Sequence, residues 1–135
     1  EGTIMSKTIR KTVTFKATSH EVYEALMDSR KHAQFTGAKA SISRKAGGIF
    51  AAYDGGIHGK NLELVPDTRI VQSWRCGADG WPQDHYSRLT ITLKEAKDGT
   101  RLSLLQTGVP EEAFDICNDG WRRAYWERMK ATFRW

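Results

Sequence analysis

Between residues 40 and 108, short runs with the period of a β-strand are separated by turn residues, mainly Gly, Pro and Asp. The clearest run is 86–95, where Leu89, Ile91 and Leu93 alternate with polar residues, as in a strand with one buried and one solvated face. Because the connections are short, neighbouring strands are expected to be antiparallel. The predicted strands of this region are 40–43, 49–53, 57–65, 69–76, 86–95 and 101–107.

A strand and two short helices are predicted before this region. Residues 9–16 have strand period, and Thr18 or Ser19 can then cap a helix. Glu21 follows Thr18 by three residues, which is the spacing of a capping box. A short second helical turn is predicted over 30–35.

After Pro110 the sequence returns to helical period as far as Trp135. On a helical wheel, one side of this segment is mainly apolar and the other is mainly charged. Gly120 offers a break, so the continuous helix could begin only near Asp119. The wheel places on the apolar side Phe114, Cys117, Trp121, Ala124, Tyr125, Arg128 and Thr132.

The order of these elements predicts an α+β fold. A curved antiparallel sheet of about six to seven strands is expected to wrap a long C-terminal helix, with short helices after the first strand. At 135 residues the chain has the usual size of one domain, so 1–135 is expected to be a single domain. The four residues before Met5 could be a remnant of cloning.

Three segments together resemble one protein family. They are TVTFKATSHEVYEALMD, GIHGKNLELVPDTRIVQSWR and GWRRAYWERMKATF, and WPQDHYSRLTITL adds to the likeness. The family is that of the activator of heat-shock protein 90 ATPase, specifically its C-terminal domain, within the START-like or helix-grip (SRPBCC) superfamily. The resemblance implies the fold just described and a groove between the long helix and the sheet. It also implies a co-chaperone-like or stress-related binding role.

A groove under the last helix would hold an apolar small molecule such as a lipid or polyketide, as in the wider superfamily. Trp121 and Tyr125 are the first candidates for its lining, because they lie one turn apart on the apolar side. Trp74 and Gln106, on strands, could face the same space. The simpler interpretation is that these aromatic residues pack on the sheet as core.

Arg128 is unexpected on the apolar side, since a buried guanidinium needs a carboxylate or several carbonyl groups. Three interpretations remain open. The side chain reaches the rim near the helix end, or it forms an ion pair with an acid such as Glu63, or it anchors an anionic ligand.

The net charge of +5 is unevenly distributed, with +5 in 1–46, −4 in 47–120 and +4 in 121–135. Regions of opposite charge can pair within the fold, so the total does not by itself predict nucleic-acid binding. The basic outer side of the last helix could dock a chaperone or another acidic protein through Arg122, Arg123 and Lys130. Trp81, in the loop 77–84, is expected either to be an exposed interface anchor or to fold back as a lid.

No catalytic constellation is visible, and no cofactor is expected. The four histidines are too far apart in sequence for a helical metal site. Cys76 and Cys117 are expected to be separate reduced thiols, with Cys117 inert on the buried side of the helix. No apolar run approaches the roughly 18 residues of a membrane span, and a cytoplasmic location is expected. The alternative function is a START-like ligand carrier or cavity-based enzyme unrelated to the chaperone.

Overall fold

The computed structural model describes residues 5–135, so the interpretation of the first four residues as a remnant lies outside the described part. Seven strands form one antiparallel sheet in the order β1-β7-β6-β5-β4-β3-β2. The α+β fold class predicted from the sequence is confirmed. The strands are β1 (Ser6–Phe15), β2 (Ser41–Ile42), β3 (Ile49–Ala52), β4 (Ile57–Val65), β5 (Arg69–Cys76), β6 (Ser87–Ala96) and β7 (Gly99–Pro110).

The first and last strands of the chain lie side by side. β1 pairs with β7 along its length, from Ser6 opposite Pro110 to Phe15 opposite Thr100. The register shifts once in β1 and once in β4, and such bulges bend a strand and increase its twist. The sheet is therefore curved, and its concave face receives the helices.

Two short helices, α1 (Ser19–Met27) and α2 (Ser29–Thr36), follow β1. The predicted capping box is present, because the Thr18 hydroxyl accepts from the Glu21 backbone N–H and the Glu21 carboxylate accepts from the Thr18 N–H. Gly37 ends α2 with a φ of 74°, a left-handed conformation that favours glycine.

The terminal helix (residues 114–133) follows a single 3₁₀ turn at Glu111–Ala113. It is continuous, and Gly120 has ordinary helical angles of −60° and −35°, so the break suggested at this glycine is wrong. Its middle part is a π-helical turn, in which hydrogen bonds span five residues instead of four. The three parts of the terminal helix are Phe114–Gly120 (α), Trp121–Trp126 (π) and Glu127–Phe133 (α).

The wider π turn changes which residues the terminal helix buries. Before it, Cys117 and Trp121 are buried at the expected spacing. Within it, Tyr125 is buried as the helical wheel predicted, but Trp126 is buried as well, and beyond it Met129 is buried in place of Arg128. Arg128, predicted near the centre of the apolar side, is exposed.

Candidate functional site

An aromatic cluster fills the space between the terminal helix and the concave face of the sheet. The Trp121 ring lies 5.5 Å from Trp74 on β5, 4.9 Å from Tyr125 and 5.5 Å from Trp126. Each of these four side chains is buried. The structure thus brings together Trp74, Trp121 and Tyr125, which the sequence suggested as groove lining, and adds Trp126.

Gln106, the fourth suggested lining residue, connects the terminal helix to three strands. Its side-chain oxygen accepts a 2.9 Å hydrogen bond from the Trp121 indole Nε1–H. Its amide nitrogen donates to the Ser87 hydroxyl at 2.9 Å, and this hydroxyl donates to the Trp74 carbonyl at 2.8 Å. Gln106 is fully buried, and this chain satisfies its polar atoms within the protein.

His32 joins the cluster from α2, a role that the sequence did not predict. Its Nδ1 lies 3.1 Å from the Leu26 carbonyl and its Nε2 lies 3.0 Å from the Tyr125 hydroxyl. Because a carbonyl only accepts, Nδ1 carries the proton in the neutral ring, and the Tyr125 hydroxyl donates to Nε2. Burial lowers the pKa of His32 to about 4, although the hydrogen bond to Leu26 acts in the opposite direction. Burial also raises the pKa of Tyr125.

The space left beneath the terminal helix has a volume of about 30 Å³. Cavities that bind drug-sized molecules measure about 300–1,000 Å³, so this space has room for water and not for a lipid or polyketide. Its lining includes His32, Gln72, Trp74, Trp121 and Tyr125.

Arg128 is separated from this cluster by the π turn. Its guanidinium Nη1 donates to the Thr36 carbonyl at 3.2 Å, at the C-terminal end of α2. A cation is favourable there because the last carbonyl groups of a helix lack partners. The suggested ion pair with Glu63 is wrong, since Glu63 pairs with Arg69 at 2.9 Å.

Trp81 is buried, with 7% of its surface exposed, so its interpretation as an exposed anchor is wrong. The indole Nε1–H donates to the His85 carbonyl at 2.7 Å, and the ring lies 5.8 Å from Trp74. The loop between β5 and β6 therefore folds back over the end of the aromatic cluster.

The suggested docking cations on the terminal helix are exposed but engaged. Arg122 pairs with Asp119 at 2.9 Å and with Glu127 at 2.6 Å, and Arg123 pairs with Asp119 at 2.9 Å. The Lys130 ammonium lies 5.7 Å from the centre of the Phe15 ring. We call these three cations, with their carboxylate partners, the helix outer face. Asp119 precedes Arg122 by three residues and Arg123 by four, so this neutralisation follows from helical spacing within the terminal helix.

The convex face of the sheet carries a second set of cations, which the sequence did not predict as a site. Side chains alternate between the two faces along each strand, and residues paired across neighbouring strands lie on the same face. Lys94 on β6, for example, lies beside Arg101 on β7. Among the described strand residues of this face, Glu63 is the only carboxylate, and its pair with Arg69 is the only ion pair of these cations. We call this surface the outer sheet face; its cations are Arg10, Lys60, Arg69, Arg75, Arg88, Lys94 and Arg101.

A shallow groove of about 530 Å³ crosses the outer sheet face. Arg10 and Arg69 line it together with the hydroxyl groups of Thr12, Thr90 and Thr92. Guanidinium and hydroxyl donors in one groove can bind carboxylate groups by charge-assisted hydrogen bonds.

Within residues 5–135, no three His, Cys, Asp or Glu side chains come together as a metal would require. The helices of this part of the chain are too short or too polar to cross a membrane.

A sequence profile of the family described as "Activator of Hsp90 ATPase homolog 1-like protein" matches residues 16–134. The chain belongs to this family. Membership agrees with the fold, in which one curved sheet holds the terminal helix.

Similar proteins include Hsp90 ATPase activator homologues from several eukaryotes. The one from Dictyostelium discoideum is 33% identical over 129 residues, which is 95% of this chain and 33% of the relative. Homolog 1 from Homo sapiens is 32% identical over 120 residues, covering 89% of this chain and 35% of the relative. The chain therefore spans about a third of the length of the curated relatives it matches.

Among solved structures, an Hsp90 activator from Plasmodium falciparum has a TM-score of 0.85 at 21% identity. The match covers 92% of this chain and 94% of that one. A protein from Chromobacterium violaceum has a TM-score of 0.75 at 28% identity, with 93% and 96% coverage. The first of these likenesses supports the fold alone.

Proposed function

We propose that this chain is a binding domain that docks, in a co-chaperone-like role, on an ATPase of the Hsp90 class. The partner class comes from relatives named as activators of the Hsp90 ATPase. The observation that carries the proposal is the space of only about 30 Å³ beneath the terminal helix. Because the space beneath the terminal helix is too small for a lipid or polyketide, we expect the domain to act through its outer surfaces.

The outer sheet face is the docking surface in this proposal. Its cations, such as Arg10, Arg88 and Arg101, are exposed, and Glu63 is the only carboxylate among them in the described strands. The helix outer face presents Arg122 and Arg123 already paired with carboxylates, so its field is weaker. An acidic protein surface therefore complements the sheet better than the helix.

A binding assay with purified Hsp90 tests this proposal. The variant Arg10→Glu, Arg88→Glu, Arg101→Glu reverses three charges on the outer sheet face. We expect it to weaken association by about tenfold or more at low salt, since like charges across an interface oppose docking. Stimulation of ATP hydrolysis, if the wild-type domain supports it, should fall in parallel.

The matched control is Arg122→Glu, Arg123→Glu, Lys130→Glu, which reverses three charges on the helix outer face. We expect its affinity to stay within about threefold of the wild type, because these cations are already engaged. A larger loss in this control would move the docking surface to the helix. Absence of any association between the wild-type domain and Hsp90 would contradict the chaperone role itself.

Native mass spectrometry tests the alternative of an apolar small-molecule carrier. We expect freshly purified protein to show the mass of the chain alone, because the aromatic cluster occupies the groove. A retained lipid or polyketide would contradict the proposal and favour the carrier. The single domain over 1–135 and the cytoplasmic location remain predictions.

A further inference from the structure

Two thiols that are 41 residues apart in sequence meet at one end of the sheet. Cys76 is the last residue of β5, and Cys117 lies in the first part of the terminal helix. Their sulfur atoms are 3.8 Å apart, and both thiols are free. Cys76 is half-buried, whereas Cys117 is 6% exposed, so a small oxidant can reach Cys76 first.

The surroundings of Cys76 favour its thiolate. The two sulfur atoms are in hydrogen-bonding contact, and donation by the Cys117 thiol, the nearby backbone of Ala78 and the positive charge of Arg75 all favour the charged form of Cys76. Together these groups, led by the Cys117 thiol, lower the pKa of Cys76 to about 7 against the effect of burial. Donating that hydrogen bond and being buried raise the pKa of Cys117. The pair thus has one nucleophilic and one protonated member.

We propose that Cys76 and Cys117 form a peroxide-reactive dithiol, with Cys76 as the nucleophile and Cys117 as the resolving thiol. The Cys76 thiolate attacks one oxygen of hydrogen peroxide, the O–O bond breaks, and the departing hydroxide takes a proton to leave as water. Cys117 then attacks the sulfenic sulfur of Cys76, and its proton leaves with the displaced hydroxyl as a second water. Two thiols are oxidised to one disulfide while one peroxide is reduced to two waters.

The two sulfur atoms must come closer before a bond can form. A disulfide needs them at about 2.05 Å, so from 3.8 Å they must approach by about 1.8 Å. The bond would join the end of β5 to the terminal helix beside the contact between Trp74 and Trp121. This inference is independent of the proposed chaperone role.

The chain has two cysteines in all, so the test has a single unambiguous product. The full chain is treated with one equivalent of hydrogen peroxide, quenched, unfolded and alkylated. We expect an intact mass lower by two hydrogen atoms and no alkylated thiol. Two alkylated thiols, or disulfide-linked dimers in place of the internal bond, would overturn the proposal.

Single variants separate the two roles. In Cys117→Ser, whose hydroxyl can still donate a hydrogen bond to Cys76 but cannot form a disulfide, dimedone should trap a sulfenic acid at Cys76, formed about tenfold faster than in the urea-unfolded variant. In Cys76→Ser, the buried Cys117 should resist peroxide until the chain is unfolded. Folding of both variants is checked by circular dichroism. Equal rates for folded and unfolded Cys117→Ser, or rapid oxidation of folded Cys76→Ser, would overturn the assignment.

Discussion

The two faces of the sheet are made of alternate residues of the same strands, yet they differ in almost every physical property. On β7, Leu102, Leu104 and Gln106 point to the concave face and are buried, whereas Arg101 and Ser103 point outward and are exposed. The concave face is filled by aromatic rings whose polar atoms are paired within the protein. The outer sheet face carries cations that have few partners.

The difference means that substitutions on the two faces should affect stability unequally. Substitutions on the concave face lower the free energy of unfolding by leaving cavities or unpaired polar groups, because that face is packed against the terminal helix. Substitutions on the outer sheet face change charge and leave packing intact. The outer sheet face can therefore be changed with little effect on stability.

The largest expected effect is the loss of the central ring of the aromatic cluster. Trp121→Ala removes contacts with Trp74 and Tyr125 and should lower the free energy of unfolding by about 3–5 kcal/mol. Urea titration followed by circular dichroism measures it.

Trp135→Ala is the matched control for that substitution. Its ring is only partly buried and contacts Phe15 and Phe133 after the terminal helix has ended. We expect the free energy of unfolding to fall by less than half as much as in Trp121→Ala. Equal losses would mean that the aromatic cluster is no more important to stability than the rest of the core.

Acid should lower the stability of the folded chain, because His32 is buried and neutral in it. Its pKa is lowered to about 4 in the folded chain from about 6.5 when unfolded, so between these values only the unfolded chain binds the proton. Stability should therefore fall as the pH drops, by about 2–3 kcal/mol between pH 7.5 and pH 4.5 from this residue. His32→Gln should lack this part of the pH dependence. Parallel curves for the variant and the wild type would show that His32 titrates normally.

Gln106 and Ser103 lie on opposite faces of β7 and compare the two faces within one strand. Gln106→Leu leaves the Trp121 indole N–H without its acceptor and should cost about 1–3 kcal/mol in the free energy of unfolding. Ser103→Ala, on the outer sheet face, should change it by no more than about 0.5 kcal/mol. A similar cost at both positions would mean that the outer sheet face is covered in the folded protein.

The smallest effect is expected from the cations of the outer sheet face. Arg88→Ala should change the free energy of unfolding by less than about 0.5 kcal/mol, because exposed charges without ion pairs contribute little. Thermal unfolding in low and high salt checks this. If Arg88→Ala is more stable than the wild type in low salt, the contrast between the two faces becomes sharper. That result would mean that the cations of the outer sheet face repel one another in the absence of a partner.

Local sequence patterns predicted the elements well where local forces decide them. The alternation of Leu89, Ile91 and Leu93 predicted β6, and the spacing of Thr18 and Glu21 predicted the start of α1, since both depend on neighbours in sequence. The segments quoted for the family resemblance likewise led to the right fold.

Predictions at the site failed where a distant contact decides the outcome. The π turn moved Arg128 out of the apolar side and Trp126 into it, and a wheel of fixed period cannot anticipate that shift. Trp81 is buried because Trp74 lies beside it, although its loop is rich in Gly and Asp.

The sequence by itself determined the strands, the short helices, the terminal helix and their order, because periodicity and capping act over a few residues. Only the tertiary structure decided that the groove is filled, that Trp81 is buried, and that Cys76 meets Cys117. These outcomes depend on which side chains approach one another across the fold, and on volumes and distances that no local pattern records.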